Sequence, residues 1–178
     1  MWTANVYMID MDAGIRIRHS KVNDLPRMAE IYAMARRFMA RNGNATQWGS
    51  GYPSSELLLA DIERGVSYII EVEGKAVATF AFIQGDDPTY ARIEGEWPDN
   101  APYGTIHRLA SDGSVRGTAD ACLAFCRSIC PNIRIDTHAD NLPMLRWIEK
   151  SGFRFCGIIH VSDGSPRRAF HLKTAFSD

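Results

Sequence analysis

The chain has 178 residues, with 20 Lys and Arg against 21 Asp and Glu, a formal net charge of −1. That length suits one domain, and the balanced charge removes the electrostatic argument for nucleic-acid binding, which needs a basic excess. A 46% hydrophobic share with 23% charged residues excludes a disordered chain, and no apolar run nears the roughly 18–20 residues of a membrane span.

Met1 to Val6 lack the basic-then-apolar pattern of a secretory signal, so the expectation is a cytoplasmic protein with no membrane partner. Residues 1–14 show no periodicity and read as an N-terminal extension to a single domain spanning 15–178. Ile15 to His19 alternate like a short strand. Asn23-Asp24-Leu25-Pro26 then reads as a helix start, a capping side chain followed by Pro in the first turn. Leu25, Met28, Tyr32, Ala35 and Met39 keep helical spacing to about Arg41, before Asn42-Gly43-Asn44. Arg36, Arg37 and Arg41 form a solvated face of that helix. Ser54-Ser55-Glu56 opens a second helix ending near Gly65, and strands at 67–73 and 75–84 meet at a tight turn, Glu73-Gly74.

Residues 85–102 form a long connector rich in Gly and Pro. Strands follow at 103–110, 133–137, 155–161 and 168–173, separated by helices at 117–129 and 142–150. Two strand–helix–strand units beside a hairpin imply a mixed sheet with helices on both faces. Cys122, Cys126 and Cys130 share one stripe of the third helix and read as a core face. Their spacing and the lack of a nearby His argue against a metal site, and the missing export signal argues against disulfides.

Three stretches carry a resemblance to a known family. They are Thr105-Ile106-His107-Arg108-Leu109-Ala110 leading into Arg116-Gly117-Thr118-Ala119, then Asp140-Asn141 closing on Lys150-Ser151-Gly152-Phe153, and the order of elements itself. Over about residues 15–174 the sequence resembles the GNAT N-acetyltransferases. The resemblance implies the GNAT fold, an α/β architecture with a mixed, mostly antiparallel sheet of about six to seven strands. It also implies acetyl-CoA as cosubstrate, no metal, and transfer of the acetyl group to a primary amine of a small molecule by direct attack. A homodimer is one arrangement it allows.

The resemblance places Leu109, Ala110, Val115, Arg116, Gly117, Thr118, Ala119 and Asn141 at acetyl-CoA. Physical chemistry agrees at the third helix: free N–H groups attract an anion, Gly117 lets backbone approach a phosphate, and Arg116 adds positive charge. Two departures stand out. Ser114 falls where the family's Gln or Arg is expected, and Asp112 brings negative charge toward the phosphate site. His107 is the candidate base, because imidazoles titrate near neutrality; a packed, hydrogen-bonded histidine is the alternative. The family's acidic Tyr falls at Ile148, which cannot donate a proton, leaving His138 as a substitute chosen on position alone. Asn141 also suits a helix cap.

For the acceptor, Trp48 and Tyr52 offer flat apolar area between the early helices, or simply anchor a loop. Asp86, Asp87, Glu94, Glu96 and Asp99 outnumber Arg92 in the connector, an acidic rim suited to a cationic amine or a plain solvated loop. A non-catalytic acyl-CoA-binding domain on the same fold stays open beside the enzyme.

Overall fold

The computed structural model describes residues 14–173, so the N-terminal extension lies outside the described residues except for Gly14. One eight-stranded sheet runs through the molecule in the order β1-β2-β3-β5-β6-β8-β7-β4. Its first half is an antiparallel meander of β1 (Ile15–His19), β2 (Ser67–Val72) and β3 (Lys75–Gln84), continued by β5 (Gly104–Ser111). Glu73 and Gly74 both have positive φ (50° and 74°), the two-residue geometry that matches strand twist in a hairpin. β6 (Asn132–Thr137) follows as the parallel neighbour of β5. The last strand, β8 (Pro166–Lys173), lies antiparallel between β6 and β7 (Arg154–His160).

The sheet has one strand more than expected. β4 (Glu94–Gly95) pairs with β7 inside the connector, which also folds a 3₁₀ turn at Pro88–Tyr90. Gly95 and Gly157 face each other so closely that a Cβ on either would overlap the opposite backbone, at φ values of 142° and 151°. A two-residue strand has no periodicity to read, and Gly95 alone resembles a turn.

Helices α1 (Leu25–Arg41) and α2 (Ser55–Glu63) cover one face, packing Met28, Ile31, Tyr32 and Leu58 against Ile69 and Ala110. Helices α3 (Thr118–Ile129) and α4 (Leu142–Lys150) cover the other, packing Phe125, Leu145 and Ile148 against Ile70, Phe80 and Ile133. Ile69 and Ile70 point to opposite faces because strand side chains alternate. The three cysteines of the α3 stripe are buried and free. Asp24 does not cap α1 with its side chain; it binds Arg18 at 2.7 Å instead, and Pro26 fixes the first turn. Among the described residues, no helix is long and apolar enough to cross a membrane.

Candidate active site

The sheet opens between β5 and β6. Their ladder runs from Gly104↔Ile133 to Ile106↔Ile135 and stops, so from His107 onward β5 diverges from its neighbour. A second irregularity lies at the same place. The β3–β5 register shifts between Thr79 and Ala81, and Arg108 adopts φ 55°, a left-handed conformation uncommon without glycine. Tyr32 from α1 fixes this bulge, its hydroxyl donating to the Arg108 carbonyl at 2.9 Å. A cleft of about 880 Å³ occupies the opening, within the size of small-molecule and cofactor sites.

One wall is β5 and the start of α3. Leu109, Ala110, Thr118 and Ala119 line the cleft, whereas Val115, Arg116 and Gly117 lie beyond the lining residues, Arg116 and Gly117 being exposed. Gly117 precedes α3 with φ 82°, no side chain caps the helix, and nothing lies within 4 Å of where its Cβ would be. An uncapped helix start beside a diverging strand fits a phosphate-bearing group. Asp112 does not oppose it: Arg27 of α1 donates to Asp112 Oδ2 at 2.5 Å, and its side chain is 9% exposed. The ion pair spans 85 residues of sequence, which hid it from a local reading.

The opposite wall is β6 and α4, with Asp136, Thr137, Asn141, Met144 and Trp147 lining the cleft. Asn141 caps α4, accepting from Met144 N at 3.4 Å, and donates to Gln47 Oε1 at 3.1 Å. Trp147 Nε1 donates to Asp120 Oδ1 at 2.9 Å and ties the two helices across the opening. Ile148 is fully buried in the core rather than at the cleft. His138 is also outside the lining; its Nδ1 accepts from the Asp140 N–H at 3.2 Å in its own turn.

His107 lines the cleft, with Nε2 2.7 Å from Asp87 Oδ2. Burial pushes the Asp87 carboxyl up, but the hydrogen bond and charge of His107, with the Thr89 N–H, outweigh it and hold it at about 2. An ionised carboxylate only accepts, so Nε2 carries the proton and Nδ1 is the basic nitrogen of the neutral ring. Asp87 belongs to the connector, where sequence reading placed it in an acidic rim without a specific partner. The rest of that rim is dispersed: Asp99 binds Lys173 at 2.8 Å, and Glu94 lies 3.6 Å from His160. Deeper in the connector, Tyr90 is buried and donates to Asp136 Oδ1 at 2.6 Å.

Trp48 and Tyr52 both line the cleft, ring centroids 6.2 Å apart, and Trp48 meets Tyr32 edge-on. Beside them lies a pair the sequence did not reveal. Arg108 Nη2 donates to Asp61 Oδ2 of α2 at 2.6 Å, with side chains only 9% and 2% exposed. Among the described residues, no group of three or more His, Cys, Asp and Glu side chains is placed to hold a metal.

No family model matches the sequence, and no curated protein matches it. Solved structures do. A GNAT-family acetyltransferase from Streptococcus agalactiae is similar with a TM-score of 0.82 and 29% identity, covering 92% of this chain and 97% of that one. An agmatine N-acetyltransferase is similar at TM-score 0.60 and 14% identity, covering 90% of this chain and 99% of that one. A ribosomal-protein alanine N-acetyltransferase from Escherichia coli is similar at TM-score 0.58 and 16% identity, covering 92% of this chain and 96% of that one.

Proposed function

We propose that this chain, which has the GNAT acetyltransferase fold, is an acetyl-CoA-dependent N-acetyltransferase. Its acceptor is a primary amine on a small molecule, attacking directly within a ternary complex. The observation that carries this reading is the His107–Asp87 pair, set at 2.7 Å where β5 leaves β6.

Acetyl-CoA supplies the activated acetyl thioester. Gly117, Thr118 and Ala119 at the start of α3 hold its phosphates by N–H groups, and Asn141 and Trp147 bound its arm from α4. An ammonium has no lone pair, so His107 Nδ1 takes its proton and Asp87 stabilises the imidazolium that forms. Backbone N–H groups of Leu109 and Ala110 donate to the oxygen that gains charge during attack. A thiol titrates near 8.5, so the leaving group departs without a strong acid, which matches an apolar Ile148. What supports a small molecule is that residues of α1 and α2, with Trp48 and Tyr52, line the acceptor side of the cleft. Structures of this fold serve both acceptor kinds by name, agmatine in one and a ribosomal protein in another.

A thiol-release assay with acetyl-CoA over an amine panel tests the reading. His107→Ala should lower turnover about 10²–10⁴-fold, most at low pH, with acetyl-CoA affinity unchanged by calorimetry. An unaltered pH–rate profile would remove His107 as the base. Binding of acetyl-CoA without turnover on a broad panel would favour a non-catalytic acyl-CoA-binding domain, the alternative that Ile148 motivates.

A further inference from the structure

The two ends of the acceptor side differ in charge. Asp87 lies 2.7 Å from His107, and Tyr90, whose ring is 6.1 Å from that of His107, holds Asp136 at 2.6 Å. At Tyr52, Arg108 Nη1 lies 3.4 Å from the hydroxyl, Arg36 Nη1 donates to the carbonyl at 3.0 Å, and Asp61 binds Arg108 at 2.6 Å, two guanidinium cations to one carboxylate. Such a gradient suits a molecule with an amine at one end and an anion at the other.

The Arg108–Asp61 pair is also poorly explained as a stabilising device. Burying two charges costs desolvation that their attraction seldom exceeds, and apolar replacements are often neutral or better. Here the pair is incompletely satisfied as well: neither Arg108 Nε nor Asp61 Oδ1 has a hydrogen-bond partner among the described residues. Arg108 Nη1 reaches the Tyr52 hydroxyl only at 3.4 Å, a weak bond to a side chain that is 40% exposed. That N–H can exchange the phenol for a stronger acceptor. The residue is also held at φ 55° by Tyr32, immediately after His107 in the chain.

We propose that Arg108, oriented by Asp61, recognises a carboxylate on the acceptor, so the acceptor is a small amino acid whose amine lies at His107. This rests on the acetyl-transfer reading above and narrows its substrate class. Asp61 sets the selectivity for a monoanion: its own charge, 2.6 Å from Arg108 Nη2, repels a dianionic phosphonate more than a carboxylate.

The test compares matched acceptors in the thiol-release assay: amino acids, their primary amides, the corresponding decarboxylated amines and the aminophosphonic analogues. Amino acids should exceed the amides and amines by about 10–100-fold in kcat/KM, mostly through KM, and should also exceed the phosphonates. Arg108→Met should abolish that preference. Because it strands the Asp61 charge, the double variant Arg108→Met/Asp61→Leu is measured beside it, with acetyl-CoA affinity as the check that the cosubstrate site is intact. Turnover with equal or better neutral amines, or better phosphonates, overturns the carboxylate assignment while leaving acetyl transfer standing. No turnover on any amine overturns both.

Discussion

Tyr32 joins core packing to the site with a single bond. Its ring is buried between α1 and the sheet, and its hydroxyl meets the carbonyl of Arg108 in the β5 bulge. Tyr32→Phe keeps the packing and removes that bond, so it should cost about 1 kcal/mol in stability yet lower kcat, because the bulge positions His107 and Leu109. A change in Tm with no change in kcat would reduce Tyr32 to a structural role. Asp87 gives a second test at this scale. Its carboxyl titrates at about 2 in the fold against an ordinary 3.8, so its stabilisation is present above the ordinary value and is lost as pH falls through about 2. Asp87→Asn should therefore lower Tm at pH 6 and match the parent near pH 2, a comparison that acid-titrated circular dichroism makes directly. His107 was legible because it precedes a recognisable motif. Asp87 was not, since nothing local marks one carboxylate among five in a loop, and Arg108 carried no signal because only the folded bulge gives it a positive φ.

Among the elements, α3 depends on a residue from α1. Arg27 neutralises Asp112 ahead of the uncapped helix start and also donates to the Ala76 carbonyl at 3.0 Å. Arg27→Ala should release the Asp112 charge and weaken acetyl-CoA binding about 2–5-fold, the scale of a charge at a helix terminus. Adding Asp112→Asn should restore the affinity; an Arg27→Ala variant with parental affinity by calorimetry would remove this coupling. Helices and long strands were legible because their apolar periods were intact, as at Met28, Tyr32, Ala35 and Met39 of α1. The cap of α1 was misread because Asp24 found a better partner in Arg18 of the neighbouring strand. The connector kept its structure hidden because its order comes from elsewhere: Trp97 Nε1 donates to the Tyr90 carbonyl at 3.1 Å, Tyr90 reaches Asp136, and β4 leans on β7.

Across the whole molecule, the connector runs from Asp87 beside His107 out to β4 at the far edge of the sheet, so both ends of it are tied down. The Gly95–Gly157 approach leaves no room for a side chain, so Gly157→Ala should push β4 off β7 and shift the connector. Turnover should fall while acetyl-CoA affinity holds, and equal loss of both would mean general unfolding instead. The order of strands has a further consequence, for synthesis. β6 touches β5 through a short ladder, and β7 touches only the two residues of β4 until β8 arrives between them. On a ribosome, half of the sheet therefore waits with open edges for residues 166–173 to emerge. During that interval β6 and β7 are the segments most exposed to intermolecular pairing, and a chaperone that shields strand edges would raise the yield of folded chain.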